Sequence, residues 1–399
     1  MPALSQALSA LRTGRMIVLV DDEDRENEGD LVLPAEFATP EAINFMAMHG
    51  RGLICLALEG DQVDRLRLKP MVRDNRTRRS TAFTVSIEAR DGITTGISAA
   101  DRAHSMKLAA SAAATADDIV SPGHVFPLRA VDGGVLVRNG HTEGAIDLVR
   151  LAGLQPGAVI CEIMRDDGQM ARRADLLAFA RQHDLAMLSV RDVLEHRIKT
   201  EQLVDEIAST ELPSVFSATP FRLHAFRNRV DGIEHIAAVK PGSATTPLVR
   251  LHSECLTGDA LGSLRCDCGA QLKRAMELIS DSDGGALLYL RGHEGRGIGL
   301  GNKIKAYALQ DQGFDTVAAN EMLGHPVDGR DYWAGAQMLK TLGYSRIRLL
   351  TNNPVKAEAL ERYGIAVEEC VSIALPGNVF NQSYLATKRD RLGHTLPNT

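Results

Sequence analysis

Three cysteines lie close together in the second half of the chain, within HSECLTGDALGSLRCDCGAQL. Cys255 lies eleven residues before Cys266, and Cys268 follows after a single intervening residue. Three thiolates with an open fourth position suit a catalytic zinc ion, because structural zinc sites usually have four protein ligands. The alternative is three buried cysteines that pack as small apolar side chains, but Asp259 and Asp267 lie among them and disfavour burial. Because zinc lowers the pKa of bound water to roughly 7, the pattern predicts hydrolytic chemistry.

A glycine-rich segment, RGHEGRGIGLGNK, follows the cysteines. Its glycines let the backbone approach a ligand closely and Arg296 supplies a fork of donors, so the segment favours polyphosphate binding. Neither the P-loop pattern nor the Rossmann glycine pattern fits it in register. The alternative is an ordinary surface loop, but Glu294 and Arg296 favour a functional one.

Two polar turns further along the chain hold candidate charges for an anionic ligand. Asp328 and Arg330 lie in HPVDGRDYW, and TNNPVKAEAL places Lys356 just after a turn from strand to helix. The start of a helix is a ready site for an anion. For each of these residues the alternative is a solvated surface charge.

An acidic run, DDEDRENEGD, occupies residues 21–30 directly after the apolar run MIVLV. Its seven carboxylates repel one another unless a cation or solvent relieves the repulsion. A calcium-binding EF-hand loop is excluded, because Asn27 stands where that loop requires glycine. A solvated acidic loop is the alternative to a metal site.

Histidines elsewhere in the first half favour the metal site. VRNGHTEGAIDL offers His141 and Glu143 beside Arg138, and SPGHVFPL places His124 in a tight turn. Carboxylate oxygens together with one imidazole suit Mg²⁺ or Mn²⁺. The combination therefore predicts a divalent metal site, although each histidine alone is more often structural. Cys55, in GLICLAL, either faces this site or packs as a core thiol on a buried strand.

The elements that must position these residues follow an alternating pattern. Short β-rich runs alternate with helical stretches, which predicts the α/β (α+β) class with two catalytic domains, each a mixed sheet with packed helices. Strands are predicted at residues 16–20, 52–58, 82–87, 159–163, 248–252, 286–290 and 347–351. Helices are predicted at residues 98–115, 271–280 and 303–312. The first of these helices opens with Ser98 and Asp101 at capping-box spacing.

The boundary between the domains is predicted from a change in pattern. A capped helix near residues 189–199 ends the first pattern, and the polar segment 200–213 that follows has no strong apolar period. We therefore predict a first domain at residues 1–199 and a second at residues 200–399. A chain of 399 residues is also too long for one ordinary core.

Composition excludes several classes of protein. With 44% hydrophobic and 24% charged residues, the chain has the composition of a globular protein. A net charge of −6 gives no basic field for nucleic acid, and no run approaches about 18 apolar residues, so neither nucleic acid nor a membrane is an expected partner. The start lacks the pattern of an export signal, and the six cysteines are not spaced like a secreted disulfide framework. We expect a cytoplasmic enzyme.

The second half resembles GTP cyclohydrolase II. Six separated blocks carry the resemblance: VRLHSECLTGD, SLRCDCGAQL, HEGRGIGL, DTVAAN, LLTNNPVK and YLATKRDRLGH. The resemblance implies zinc bound by Cys255, Cys266 and Cys268, with Mg²⁺ on the triphosphate of GTP. It also implies that Asp328 accepts a proton and that Arg330 attacks the α-phosphate. The GTP contacts that it implies are Arg250, Leu251, His252, Ser253, Glu254, Gln271, Glu294, Gly295, Arg296, Thr316, Thr351 and Lys356.

The first half resembles 3,4-dihydroxy-2-butanone 4-phosphate synthase. The blocks that carry this resemblance are DDEDRENEGDL, GRGLICLAL, TAFTVSIEA, TTGISAADRA, PGHVFPLRA, RNGHTE, GAVICEIM and DGQMAR. The resemblance implies Mg²⁺ or Mn²⁺ bound by Glu26 and His141, and catalytic acid and base positions at His124 and Glu162. The contacts that it implies for ribulose 5-phosphate are Arg25, Glu26, Asp30, Arg138, Asn139, Gly140, His141, Thr142 and Glu162.

The two resemblances together imply a bifunctional enzyme that makes both precursors of riboflavin. One reaction converts D-ribulose 5-phosphate to 3,4-dihydroxy-2-butanone 4-phosphate and formate. The other hydrolyses GTP to 2,5-diamino-6-(5-phosphoribosylamino)pyrimidin-4-one, formate and pyrophosphate. Family likeness also implies a homodimer in which sites of the first domain are shared between subunits.

Three departures from the family patterns leave alternatives open. Arg76 interrupts an Asn-Thr pair, Ser121 stands where Arg often precedes Pro-Gly-His, and LPSVFSATPF lacks a glycine common at the start of the second domain. One alternative is that only one half is active and the other is a scaffold or dimerisation domain. Another is a GTP-binding regulator without turnover, but such a protein needs neither a zinc site nor Asp328.

Overall fold

The computed structural model describes residues 2–23, 25–77, 79–325 and 327–396. The chain divides into two compact units, Met1–Arg197 and Ile198–Thr399. Each unit contains one mixed sheet of seven strands, as counted over the described residues, with helices packed against it. The predicted class, two mixed-sheet domains with packed helices, is confirmed.

The sheet of the first unit has the strand order β4-β5-β3-β6-β2-β1-β7. Its strands are β1 (Ile17–Val20), β2 (Gly29–Pro34), β3 (Cys55–Leu58), β4 (Ile87–Ala89), β5 (Ile119–Arg129), β6 (Gly157–Glu162) and β7 (Ala186–Ser189). The pairs β1–β7 and β3–β5 are parallel, and the other neighbours are antiparallel.

Helices cover both faces of this sheet. The α-helices up to Thr200 are α1 (Pro2–Arg12), α2 (Pro40–Phe45), α3 (Gly60–Arg65), α4 (Ala99–Ala110), α5 (His141–Leu151), α6 (Arg173–Gln182) and α7 (Val190–Thr200). Successive residues of a strand point to opposite faces, and β1 shows the result: Val18 and Val20 belong to one apolar cluster, Ile17 and Leu19 to the other. Burial on both faces explains why the run MIVLV is apolar throughout.

The sheet of the second unit has the order β14-β13-β11-β12-β10-β9-β8. Its strands are β8 (Val204–Ser214), β9 (Ser217–Asn228), β10 (Glu234–Lys240), β11 (Leu248–Ser253), β12 (Gly285–Leu290), β13 (Arg346–Leu350) and β14 (Ala366–Val371). The four strands from β14 to β12 are parallel, and those from β12 to β8 are antiparallel. Its helices are α8 (Leu256–Asp259), α9 (Cys268–Asp281), α10 (Leu300–Gln310), α11 (Thr316–Met322), α12 (Trp333–Thr341), α13 (Pro354–Arg362) and α14 (Gln382–Leu392).

Parallel strands bring the chemical segments of the second unit together. β11 runs into the turn of Cys255, β12 into the glycine-rich segment, and β13 into the turn before α13. Because the carboxyl ends of parallel strands meet at the same edge of a sheet, these three segments converge there.

Two local predictions differ from the structure. The strand predicted at residues 82–87 is wrong over most of its length, since Phe83 and Thr84 form only isolated bridges and β4 begins at Ile87. The polar segment 200–213 contains β8, which lies at the edge of the sheet and is largely exposed. An edge strand with both faces exposed needs no apolar alternation, so its sequence carries no periodic signal.

One helix is shorter than predicted. α4 ends at Ala110 instead of residue 115, because Ser111 is extended. Its start agrees with the prediction: Ser98 Oγ accepts from the backbone N–H of Asp101 at 3.0 Å. The Asp101 carboxylate, however, accepts from the N–H of Thr94 and Gly96 instead of completing a capping box.

No α-helix within the described part of the chain combines the length and the apolar character needed to cross a membrane.

Candidate active sites

The acidic turn between β1 and β2 folds around Asp21. Its Oδ2 accepts from the backbone N–H of Glu26 at 3.1 Å, and its Oδ1 from that of Glu28 at 2.9 Å. Arg25 Nη1 lies 2.8 Å from Asp21 Oδ2 and 2.6 Å from Glu26 Oε2. These contacts offset part of the repulsion between the carboxylates of the turn. They also fix Glu26, whose backbone N–H is bonded to Asp21 and whose carboxylate is bonded to Arg25.

His141, the first residue of α5, lies beside this turn. Its Nδ1 is 3.8 Å from Glu26 Oε2 and 3.8 Å from Asp30 Oδ1. His141 Nε2 and Asp30 Oδ1 are buried and have no hydrogen-bond partner among the described residues. Ligand atoms of Asp21, Glu26 and His141 all lie within 4.8 Å of one another. Oxygens with one imidazole, and buried atoms without partners, fit a divalent cation of the Mg²⁺ or Mn²⁺ type.

Burial sets the protonation of these groups. It lowers the pKa of His141, which favours the neutral imidazole that binds metals. Burial raises the pKa of Asp30 well above its ordinary value, and the charge of Glu162 adds to the rise. Asp30 and Glu162 face each other across β2 and β6, and Glu162 Oε2 accepts from Leu53 N at 2.8 Å.

A single cavity collects most of the residues predicted to contact ribulose 5-phosphate. Its described lining consists of Arg25, Glu26, Glu28, Asp30, Cys55, Thr81, Phe83, Leu128, Arg138, His141, Thr142, Ile160 and Glu162. Asn139 and Gly140 are outside this lining, in the turn that leads into α5. Cys55 is both buried and part of the lining, and burial raises its pKa. Thr81 and Phe83 were not predicted from the sequence. Phe83 lies in the segment that was wrongly predicted as a strand, and Thr81 lies directly before that segment.

His124 lies elsewhere in the first unit. It belongs to β5, its side chain is 44% exposed, and its Nδ1 contacts Glu88. It is not among the described residues that line the cavity of Glu26 and His141. Within one copy of the chain, His124 and Glu162 are therefore not gathered into one cavity.

The three cysteines of the second unit come together as a cluster. Cys255 precedes α8 and Cys268 begins α9. The sulfurs of Cys255 and Cys266 are 3.7 Å apart, and all three lie within 4.8 Å of one another. Two sulfurs bound at about 2.3 Å to a tetrahedral zinc are separated by about 3.8 Å, so the spacing fits zinc. A Cβ at Gly258 would come within 2.9 Å of Cys266 Sγ, so only glycine leaves this space free.

Polar residues surround the cysteines on two sides. Asp259 accepts from His252 Nε2 at 3.0 Å, from the N–H of Cys255 at 3.1 Å and from the Tyr289 hydroxyl at 2.8 Å. On the other side, Lys303 Nζ lies 3.1 Å from Cys255 Sγ. Hydrogen bonds from the other two cysteines, and the charge of Lys303, hold the pKa of Cys255 well below its ordinary value.

A buried chain of hydrogen bonds connects the cysteine loop to the sheet. Asp267, between two of the cysteines, pairs with Lys388 at 2.6 Å and accepts from Gln271 Nε2 at 2.7 Å. Gln271 Oε1 accepts from Arg250 Nη2 at 2.6 Å, and Arg250 Nη1 donates to the carbonyl of Leu350 at 2.9 Å. The position of the cysteine loop is thus tied to β11, β13 and α14.

The glycine-rich segment contributes Arg296 to a cavity that the three cysteines also line. Arg296 has a left-handed φ of 65°, and its two terminal nitrogens are buried without a hydrogen-bond partner among the described residues. Its carbonyl accepts from the N–H of Gly329 at 3.0 Å, and a Cβ at Gly297 would lie 3.3 Å from Gly329. The loops of Arg296 and Gly329 therefore lie close together. The guanidinium group of Arg296 is left with donors that suit phosphate oxygens.

Further cations border the cavity. Lys356 Nζ is buried and donates to the carbonyl of Leu251 at 2.8 Å. Burial, and then the charges of Arg250 and Arg330, lower the pKa of Lys356 well below its ordinary value. Arg330 Nε lies 2.8 Å from Asp328 Oδ1, and a second guanidinium nitrogen also contacts this carboxylate.

Most of the residues predicted to contact GTP line this cavity with the three cysteines. Those within its described lining are Arg250, His252, Ser253, Glu254, Gln271, Glu294, Gly295, Arg296, Thr316, Thr351 and Lys356, together with Arg330. Leu251 and Asp328 are outside the lining; the first acts through its carbonyl on Lys356 and the second through its ion pair with Arg330.

Sequence reasoning missed several residues of this cavity, namely Arg265, His293, Ile298, Lys303, Ala306, Tyr307, Gln310, Asn320, Asn352, Asn353, Tyr384, Lys388 and His394. A signal was present for some of them. Lys303 and Tyr307 are four residues apart on α10 and so share one helix face.

Comparison with known proteins gives both units a family. Residues 5–196 match the family model of 3,4-dihydroxy-2-butanone 4-phosphate synthase, and residues 205–372 match that of GTP cyclohydrolase II. The predicted boundary at residues 199 and 200 lies between these matches, and its placement stays a prediction.

Similar proteins extend over nearly the whole chain. The riboflavin biosynthesis protein RibBA of Aquifex aeolicus is 52% identical over 395 residues, covering 98% of this chain and 97% of that protein. RibBA of Nocardia farcinica is 52% identical over 397 residues, with coverages of 98% and 95%. The crystal structure of RibBX, a two-domain 3,4-dihydroxy-2-butanone 4-phosphate synthase from A. baumannii, is 37% identical with a TM-score of 0.72, covering 92% of this chain and 99% of that one. The chain therefore belongs to the RibBA family of riboflavin biosynthesis proteins, as a bifunctional 3,4-dihydroxy-2-butanone 4-phosphate synthase and GTP cyclohydrolase II.

Proposed function

We propose that the first unit converts ribulose 5-phosphate in the cavity of Glu26, His141 and Glu162. The observation that carries this proposal is a pair of buried atoms, His141 Nε2 and Asp30 Oδ1, that have no hydrogen-bond partner in the described part of the chain and lie near an acidic turn. Glu26 and His141 would hold Mg²⁺ or Mn²⁺. When bound, the ion supplies positive charge for the oxygens of an enediolate.

Side chains and backbone groups of the first unit would remove the proton and bind the substrate phosphate. Glu162 is within the cavity and can take the proton beside the ketone, since the N–H of Leu53 is the one backbone donor to its Oε2 among the described residues. The substrate phosphate fits the start of α5, where Arg138 and the first-turn N–H groups near Thr142 supply donors. The carbon skeleton then rearranges and one carbon leaves as formate.

A homodimer would explain the position of His124. His124 is not among the described residues that line the cavity of its own copy, yet the family resemblance implies that it is an acid or base of the reaction. His124 of a second copy would complete the site. Mixing a His124→Ala chain with a Glu162→Ala chain is then expected to restore part of the activity that each lacks alone. No recovery, in mixtures shown to exchange subunits, would contradict a shared site.

We further propose that Cys255, Cys266 and Cys268 hold zinc and that GTP occupies the adjoining cavity. The observation that carries this proposal is the 3.7 Å separation of two sulfurs beside a cavity rich in cations. When bound, zinc supplies an acidic water whose hydroxide suits attack on carbon 8 of guanine.

The cations of this cavity would bind the triphosphate, with Mg²⁺ on its oxygens. Arg296 offers two buried donors that have no partner among the described residues, and Lys356 has a pKa that an anionic neighbour would raise again. Asp328 contacts Arg330 through two guanidinium nitrogens. In the roles that the family resemblance implies, Arg330 would attack the α-phosphate as the bond to the pyrophosphate leaving group breaks, and Asp328 would take the proton that the guanidinium gives up.

A product analysis with two matched variants tests both halves. The purified chain is given ribulose 5-phosphate with Mg²⁺, or GTP with Mg²⁺ after zinc has been measured. Glu26→Gln should abolish formate from the sugar phosphate alone, and Cys266→Ser should abolish formate and pyrophosphate from GTP alone. One substrate unchanged by the unaltered chain would favour a single active half, and GTP bound without turnover would favour a regulator.

We also propose that the enzyme works in the cytoplasm. All six cysteines are free thiols, and the three that would hold zinc must stay reduced to do so, which favours a reducing compartment. Tagged enzyme in cell fractions checks this, because its recovery outside the cytoplasmic fraction would contradict it.

A further inference from the structure

The C-terminal helix α14 reaches the cavity of the second unit from beyond the matched family region. That region ends at residue 372, whereas α14 spans Gln382–Leu392. Tyr384, Lys388 and His394, from the helix and the turn after it, line the cavity. None of the three is among the GTP contacts that the family resemblance implies.

Hydrogen bonds hold this segment against the cavity at several points. The Oδ1 of Asn352 accepts from the N–H of Ile373 at 2.9 Å, and its carbonyl accepts from the N–H of Thr395 at 2.8 Å. Arg391 pairs at 2.6 Å with Asp315, whose side chain caps the start of α11. Asn352, which lines the cavity, therefore also holds the segment that contains α14.

Lys388 connects α14 to the cysteine loop. Its buried ammonium group is 2.6 Å from Asp267 Oδ1 and 4.6 Å from the centre of the Tyr384 ring. An ammonium group has three donors, and Asp267 uses one of them. Lys388 is also among the residues that line the cavity.

His394 stands among cations. Its backbone N–H donates to the carbonyl of Lys388 at 3.1 Å, and the residue lines the cavity. Burial, and then the charges of Lys388, Arg330, Arg296 and Lys356, lower the pKa of His394 to about 3. Two of these cations already pair with carboxylates, Lys388 with Asp267 and Arg330 with Asp328, and an anionic group in the cavity would relieve the repulsion that remains around the neutral ring.

We propose that α14 and the turn after it are part of the GTP site, with Lys388 and His394 contacting the triphosphate and Tyr384 shielding that side of the cavity. The ligand recognised is the polyphosphate of a nucleoside triphosphate. This inference rests on the GTP site proposed above and adds to it three residues of the block YLATKRDRLGH, which resembles the family but lies beyond the residues that the family model matches.

The test compares His394→Ala and Lys388→Met with Arg389→Ala. Arg389 is on the same helix but pairs with its neighbour Asp390. Loss of one charged hydrogen bond should raise the KM for GTP about tenfold or more in the first two variants and leave the control within about twofold. Formate production from ribulose 5-phosphate should be unchanged in all three, which reports that the first unit is folded, and the zinc content should be unchanged, which reports the same for the second unit. Calorimetry should show weaker binding of α,β-methylene-GTP but unchanged binding of guanosine.

Each outcome bears on a different claim. If both variants bind and hydrolyse GTP as the Arg389→Ala control does, α14 is not part of the site. If Lys388→Met loses zinc, its effect is assigned to the cysteine loop, and His394→Ala alone decides. If the unaltered chain does not hydrolyse GTP, the proposed function fails, and the affinity of His394→Ala for α,β-methylene-GTP still decides whether α14 contacts a triphosphate.

Discussion

Asp259→Asn should weaken zinc binding by the second unit without removing a zinc ligand. The Asp259 carboxylate accepts from three donors: the Nε2 of His252 at 3.0 Å, the N–H of Cys255 at 3.1 Å and the hydroxyl of Tyr289 at 2.8 Å. An asparagine has one acceptor oxygen and an amide nitrogen that faces at least one of these donors. It also lacks the negative charge that strengthens each bond.

The size of the effect follows from these contacts. A hydrogen bond to a charged group contributes about 1.5–3 kcal/mol, which corresponds to about 10–150-fold in zinc affinity at about 1.4 kcal/mol per decade. Loss of a residue that supports a metal ligand typically costs about 10–100-fold, in agreement with this range. Competition with a chromophoric chelator measures the affinity directly.

A matched control separates this effect from a general loss of charge. Asp281, the last residue of α9, is exposed, so Asp281→Asn should leave zinc affinity unchanged. If Asp259→Asn binds zinc as tightly as Asp281→Asn, the turn of Cys255 does not depend on the carboxylate, and the argument from its three donors is wrong.

Three further predictions address the first unit, the metals and pH. Glu26→Gln should lower the rate of formate release from ribulose 5-phosphate by about 100-fold or more, as loss of a ligand or of acid–base geometry does; a rate near that of the unaltered chain would exclude Glu26 as a ligand. Brief EDTA treatment should stop this reaction before it stops GTP hydrolysis, because oxygen ligands hold Mg²⁺ more weakly than thiolates hold zinc; Mg²⁺ should restore it, and simultaneous loss of both activities would contradict the assignment. Burial lowers the pKa of His235, so below about pH 6.5 the unfolded chain binds more protons than the folded chain and stability falls as pH falls. Urea unfolding of His235→Gln should show a smaller pH slope in that range, and an equal slope would refute this reasoning.

Sequence spacing predicted the parts of each site that depend on neighbouring residues. Cys266 and Cys268 are one residue apart, so the start of α9 alone brings them together, and the turn after β11 adds Cys255. The acidic turn likewise follows directly from β1. In both cases a few neighbouring residues set part of the geometry, and residue type identifies the chemistry.

The residues that were missed reach the sites through long-range packing. Lys388 lies 121 residues from its partner Asp267, and no periodic pattern relates the two. His124 is the opposite case, because its motif can be recognised in the sequence but its position cannot. That position, outside the described lining of the cavity, depends on the path of β5 across the sheet. The strand β8 was not predicted for a different reason. An exposed edge strand buries few side chains and so needs no apolar pattern.

The two cavities differ in the sign of the charge around their buried polar atoms: carboxylates surround these atoms in the first unit, and cations surround them in the second. A buried polar atom without a partner costs about 1–3 kcal/mol, so folded chains keep few of them. In the first unit such atoms include Asp30 Oδ1 and His141 Nε2, beside carboxylates that a cation would neutralise. In the second they include nitrogens of Arg250, Arg296 and Asn352, beside cations that an anion would neutralise. Binding of a metal and a sugar phosphate, or of a triphosphate, would therefore relieve costs already present in the folded chain, and part of the binding free energy would come from that relief.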